Sequence, residues 1–206
     1  DSCLEQTHSN LELIIVDDAS TDETPQIINS YSDKRIRYIR HSKNLKLPRA
    51  LNTGFKHATG DYLTWTSDDN FYTSDAIEVM VKFLLTYPEI GYVYTDEYHI
   101  DENDNINKYF AVGSVESLQS DNLIGGCFLY HRRVYEEIGE YDPDAYLAED
   151  YDYWIRISKR FRMQRLRSSL YYYRLHKDSL TVKYGKYGTK LAGEVGDIVK
   201  KSHKIG

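Results

Sequence analysis

Two apolar runs along the chain end in paired carboxylates and pass on to helical periodicity. The first, Leu11-Glu12-Leu13-Ile14-Ile15-Val16, is nearly continuous, as in a buried parallel strand, and stops at Asp17-Asp18-Ala19-Ser20-Thr21-Asp22. A helix of roughly 23–31 is expected next, with Pro25 tolerated in its first turn. The second run, Tyr62-Leu63-Thr64-Trp65, follows Gly60 and reaches Ser67-Asp68-Asp69-Asn70. Ser74 and Asp75 then read as start signals for a helix carrying Ala76, Ile77, Val79, Met80, Phe83 and Leu84, stopped by Pro88. Both acid pairs therefore fall where a strand ends and a helix is about to begin. That edge is where open α/β sheets bind ligands.

The remaining pattern fills in the elements. Residues 1–6 read as the last turns of a helix, 35–39 as a strand, and 47–58 as a helix closed by Gly60. A strand over 90–96 leads through a polar turn at 101–107 into a hairpin partner at 109–112. Residues 124–130 predict a strand headed by Gly125-Gly126, where paired glycines allow either a close backbone approach to a ligand or a bulge. A short helix over 132–138 is closed by Gly139. Glu149-Asp150 stands before an amphipathic helix over 151–161, with Trp154, Ile155 and Ile157 on its core face. Residues 170–174 form a late strand, and 183–206 a basic surface helix or tail. Alternating strands and helices imply βαβ units, and the hairpin makes the sheet mixed. The fold class expected is α/β, a mostly parallel mixed sheet flanked by helices.

Composition narrows the function. At 206 residues the chain makes one ordinary domain. A net charge of −6 argues against a nucleic-acid partner, whose binding surface is normally basic. Two cysteines, Cys3 and Cys127, give neither a disulfide framework nor a zinc pattern, which fits a reducing compartment. No apolar run approaches the roughly 20 residues of a membrane helix, and no secretory leader is evident. A cytoplasmic location follows, with peripheral contact at the inner membrane face through the basic tail. The 20 tyrosines suit sugar contact and half-buried sheets equally. Gly-x-Gly-x-x-Gly, Walker and Gly-x-Ser-x-Gly patterns are absent.

Adjacent carboxylates at a ligand-binding edge repel unless a cation lies near them, and a divalent cation carrying phosphate is the usual answer. Two of the three pairs also have a plainer explanation. Asp68-Asp69-Asn70 can cap a helix, and Glu149-Asp150 suits the positive end of a helix dipole.

The order Val16-Asp17-Asp18-Ala19-Ser20-Thr21-Asp22, Ser67-Asp68-Asp69, Gly125-Gly126, Glu149-Asp150 and Arg174-x-His176 with Ser179 resembles family 2 glycosyltransferases. These are inverting enzymes of the GT-A, Rossmann-like fold. The likeness runs from Asp1 to about Thr181. It implies one domain over 1–182, with a nucleotide half to about 98 and an acceptor half beyond. It implies a nucleotide-sugar donor, most often UDP-linked, a glycan or lipid-linked acceptor, and a bound Mg2+ or Mn2+. By position, Asp18 faces the base, with Asp17, Ser20 and Arg49 near the nucleotide and Asp68 near the ribose or donor sugar. Asp69 and His176 hold the metal, and Ser67 replaces the first carboxylate of a fuller Asp-x-Asp pattern. Gly125, Gly126 and Glu149 border the sugars, and Asp150 is the general base. The family's opening apolar strand has no counterpart before Gln6-Thr7, so a central sheet position is expected to be open or filled from elsewhere. The alternative is a nucleotide-sugar-binding domain or fragment without turnover; a nucleotidyltransferase on a similar sheet is a third reading.

Overall fold

The computed structural model describes residues 1–119, 122–179 and 203. Strand β1 (Leu13–Asp17) pairs in parallel with β2 (Ile36–Arg40) through the helix α1 (Thr24–Ser30), the expected crossover. β1 is only half-buried until Asp17, less deep than its apolar run suggests. Helix α2 (Leu47–His57) buries Leu51, Asn52 and Phe55. Asn52 exchanges two 2.8 Å hydrogen bonds with the main chain of Tyr141, which ties α2 to a segment 89 residues away.

Beyond it lie β3 (Tyr62–Leu63), β4 (Phe71–Tyr72), α3 (Ala76–Thr86), β5 (Ile90–Ile100) and β6 (Ile106–Phe110). They are followed by β7 (Phe128–His131), α4 (Arg132–Ile138), α5 (Glu149–Ser158) and β8 (Arg162–Arg174). The larger sheet has the order β3-β7-β5-β8-β4. One edge of β5 takes β7 at residues 92–94 and β6 at 97–100, and the other takes β8 along most of its length.

The sheet is mixed, as the hairpin implied. Among the described residues β1–β2 and the longest ladder, β5–β8, are parallel; β3–β7, β4–β8, β5–β6 and β5–β7 are antiparallel. The antiparallel strands beside β5 come from the excursion after it. The chain reverses into β6, leaves the sheet, and re-enters as β7 on the same edge, so both strands run against β5.

Boundaries shift for local reasons. The strand expected at 62–65 ends at Leu63, because the Trp65 indole turns to donate to the Tyr141 hydroxyl at 3.0 Å and packs edge-on against Phe128. β4 then stands between the Asp68-Asp69 loop and α3, so those carboxylates do not cap that helix. The strand foreseen at 124–130 begins at Phe128, since Gly125 takes a φ of 82° closed to an extended ladder. The helix foreseen at 151–161 covers Glu149–Ser158. Residues 1–6 form turns, anchored where Gln6 bridges Ser2 and Thr73, rather than a helix end. The basic stretch 183–206 lies outside the described residues except for His203.

Eight of the tyrosines fill the core. Alternation along β5 sends Tyr92 and Tyr94 to one face and Val93 to the other. On the first face Tyr92 stacks on Phe128 and Tyr130 and leans on Trp154, while Tyr141 stacks on Tyr153 at 4.0 Å. On the second, Tyr72, Met80, Leu84, Leu129 and Tyr171 pack α3 against the sheet. The β5–β8 register slips between Thr95 and Asp96, where β8 holds two extra residues. Such a bulge re-aims the strand beyond it. Tyr171 is buried there beside Gly126.

Candidate functional site

At the end of β1, the Asp17 carboxylate is buried and fully engaged. It accepts from Ser20 N–H and Tyr38 Oη, both at 2.7 Å, with Arg40 at 3.3 Å. Burial works to raise its pKa, but those hydrogen bonds and the Arg40 charge outweigh it and hold Asp17 below the usual carboxylate range. Asp18, read as facing a base, has both oxygens on its own protein. They accept from Leu45 N–H and Lys46 N–H, and His41 Nδ1 lies 2.7 Å away. Its place is therefore to pin the loop before α2. Lys46, with a φ of 73°, then carries its ammonium over the Tyr146 ring at 5.6 Å. Arg49 is exposed in the first turn of α2.

The second acid pair is divided by its surroundings. Asp68 is exposed, whereas Asp69 is partly buried. Asp69 Oδ2 meets His176 Nε2 at 3.0 Å, and Asp69 Oδ1 is buried with no hydrogen-bond partner among the described residues. Arg174 donates through Nε to the Asp69 main-chain oxygen, and Asn70 accepts from Arg174 N–H. The end of β8 thus holds both the loop of Asp69 and the imidazole against it. No cluster of three or more His, Cys, Asp or Glu poised for a metal occurs among the described residues. Asp69 with His176 is the donor pair present, and its unsatisfied oxygen fits a cation that also keeps water or phosphate ligands.

The third group centres on α5. Glu149 and Asp150 are its first two residues, and no side chain caps it. Asp150 Oδ2 accepts from Asn122 Nδ2 at 2.9 Å, and Oδ1 from Tyr151 N–H at 2.7 Å. Burial pushes Asp150 up despite those donors. Burial and the neighbouring Asp150 charge push Glu149 up to about 7, while Leu147 N–H donates to its Oε2. A dipole explanation alone would lower both acids, so their burial decides.

Contacts join the groups. Gly126 N–H donates to Glu97 Oε2 at 2.9 Å, and a Cβ on Gly126 would sit 3.1 Å from the Tyr171 ring. The Tyr171 hydroxyl meets Thr66 Oγ1 at 2.6 Å, three residues before Asp69. Asn122, on the same loop as Gly125 and Gly126, reaches Asp150. The loop held by Asp18 meets the segment leading to Glu149 through Lys46 and Tyr146.

Asn122, Glu97 and His99 escaped the sequence reading. Asp96-Glu97 follows an apolar run just as Asp17-Asp18 does, and that signal was available. Asp96 itself is structural: it is buried, forked by Arg165 at 2.8 and 2.9 Å, and accepts from Tyr109 and Val112.

The family model for glycosyl transferase family 2 matches residues 1–139. The chain belongs to this family. An uncharacterized glycosyltransferase of Rickettsia felis is 34% identical over 170 residues, covering 76% of this chain and 28% of that protein. Glycosyltransferase GlyA of Streptococcus pneumoniae is 29% identical over 205 residues, covering 88% of this chain and 29% of the relative. The family 2 chain thus spans under a third of the length of these relatives. Among solved structures, S. aureus TarS in complex with UDP-GlcNAc superposes with a TM-score of 0.75 at 15% identity, over 96% of this chain and 59% of TarS. Mannosyltransferase PcManGT of Pyrobaculum calidifontis, in complex with GDP-Man and Mn2+, gives 0.68 at 20% identity, over 89% of this chain and 54% of that one. At such identities the likeness shows the fold, that of GT-A glycosyltransferases. No helix among the described residues is long and apolar enough to cross a membrane.

Proposed function

We propose that the chain forms the donor-binding and catalytic part of an inverting, metal-dependent hexosyltransferase. It moves a sugar from a nucleotide-sugar donor, of UDP type, to a glycan or lipid-linked acceptor in bacterial surface-glycan synthesis. The observation that carries this is the Asp69–His176 pair with its buried, unpartnered oxygen. Asp69 and His176 would hold Mg2+ or Mn2+; the mixed oxygen and imidazole donors favour Mn2+. When bound, the ion supplies positive charge to the departing nucleoside diphosphate.

The chain's own residues do the rest. Asp17, Asp18 and Ser20 shape the loop that borders the nucleotide, with Arg49 and Asp68 exposed beside it. Gly125, Gly126 and Glu149 line the sugars. Asp150 takes the proton of the acceptor hydroxyl as that oxygen attacks, and Asn122 and Tyr151 N–H aim its carboxylate. One base facing one leaving group gives a single displacement with inversion, without the covalent carboxylate of retaining enzymes.

Thermal stabilisation by UDP-GlcNAc and GDP-mannose, with and without Mn2+, tests the reading. A nucleotide shift that needs Mn2+, and vanishes in Asp69→Asn and His176→Ala, supports it. A shift indifferent to Mn2+ and to both substitutions refutes it.

A further inference from the structure

The far end of β5 carries a carboxylate–imidazole pair that neither donor binding nor base chemistry uses. Glu97 and His99 are two apart on one strand and so share a face. Glu97 is 3% exposed. Its Oε2 accepts from Gly126 N–H at 2.9 Å, and its Oε1 lies 3.1 Å from His99 Nε2. The imidazole lies flat on Phe110, with centroids 4.7 Å apart and planes at 19°, and leans on Tyr173 at 5.7 Å. A carboxylate only accepts, so a hydrogen sits on Nε2; in the neutral ring Nδ1 is then left as a lone-pair acceptor. Nδ1 makes no hydrogen bond to any described residue, and the side chain keeps 18% of its surface.

Its position is as telling as its tautomer. The carboxylate that orients His99 also fixes Gly126, on the loop whose Asn122 reaches Asp150. Tyr173, against the ring, precedes Arg174 and stands three residues from His176. The imidazole is thus tied through Glu97 to the loop whose Asn122 holds Asp150, and through Tyr173 to the strand end that carries Arg174. We propose that His99 Nδ1 accepts a hydrogen bond from a hydroxyl of the acceptor sugar, with Glu97 as the positioning residue that fixes the tautomer. The assignment of that hydroxyl to an acceptor rests on the transferase reading above.

Long-range proton–nitrogen spectra of the full chain, titrated with methyl glycosides of glucose and N-acetylglucosamine, test this. The wild-type is expected to show His99 protonated on Nε2, with Nδ1 moving as a methyl glycoside is added. Glu97→Gln, whose amide can donate to Nε2, is expected to move the proton to Nδ1. His99→Phe is expected to weaken glycoside binding roughly tenfold, one lost hydrogen bond, while keeping the UDP–Mn2+ shift. An Nδ1-protonated wild-type, an Nδ1 signal blind to both glycosides, or undiminished glycoside binding by His99→Phe overturns the proposal. So does an unchanged tautomer in Glu97→Gln, or loss of the UDP–Mn2+ shift in folded His99→Phe. Should His99→Phe not fold, the wild-type spectra decide alone. If UDP and Mn2+ fail to stabilise the wild-type, the transferase reading falls, and the tautomer and glycoside response still judge His99.

Discussion

Arg174 Nε donates to the main-chain oxygen of Asp69 at 2.9 Å, so the guanidinium grips the backbone of a candidate metal ligand rather than its carboxylate. The same group reaches Asp101 O at 2.9 Å and Asp104 Oδ1 at 2.6 Å, and lies over the Phe71 ring. It joins the Asp69 loop to the turn of the β5–β6 hairpin. Arg174→Ala should cost about 1.5–3 kcal/mol, the range for hydrogen bonds to a charged group. Arg174→Lys should rescue little, since an ammonium cannot span three acceptors with a planar fork. Urea unfolding reads the stability, and Mn2+ titration in the presence of UDP reads the loosened Asp69.

Glu149 gives the stability a defined slope with pH. Its folded pKa, pushed up to about 7, lies above the ordinary value of 4.5. Between those values the native state keeps a proton that the unfolded chain has lost, so stability falls as pH rises from about 4.5 to about 7 and is level beyond. The shift corresponds to about 3 kcal/mol at most. Glu149→Gln, which can still accept from Leu147 N–H, should shallow that slope and raise Tm at pH 8, leaving the part of the same sign that buried Asp150 contributes. Melting curves from pH 4.5 to 8 show whether the slope shrinks.

Asp150→Asn should remove sugar transfer while leaving the UDP–Mn2+ thermal shift in place. The amide oxygen still accepts from a backbone or Asn122 donor, but it takes no proton from a hydroxyl. Measured side by side, transfer and nucleotide binding should separate.

Gly125 sits at a φ of 82°, and a Cβ there would come within 2.6 Å of Val112 Cγ1 and 3.2 Å of Glu97 Oε2. Gly125→Ala should therefore lose roughly 2–4 kcal/mol from backbone strain plus overpacking. Adding Val112→Ala should return only part of it, because the dihedral strain remains. Urea unfolding of the single and double variants gives the partition.

How much of this was legible follows from where each residue finds its partners. β1, α1, β2 and α2 could be read almost to the residue, because their apolar runs and breakers are local. The first half of β8 could not: Arg162, Gln164, Arg167 and Ser168 are exposed, and no alternation survives the bulge. The pairing of Asp69 with His176 was anticipated from the resemblance rather than from spacing. Glu97 falls just past the strand expected at 90–96, and the group that gives it meaning, Gly126 N–H, lies 29 residues on. Asp18 illustrates the converse. Its position beside Asp17 was plain, yet the backbone of Leu45 and Lys46 that occupies it is invisible in a one-dimensional pattern.

The excursion between β6 and β7 is clamped at its roots by neighbouring residues of one strand. Asp96 holds Val112 N–H, Glu97 holds Gly126 N–H, and Gly113 N–H closes on Leu123 O at 2.6 Å. Whatever is grafted between those roots leaves the anchors where they were. Exposed positions between those roots can vary without moving the scaffold, whereas Leu118, buried against Tyr151, and Asn122, on Asp150, are part of it.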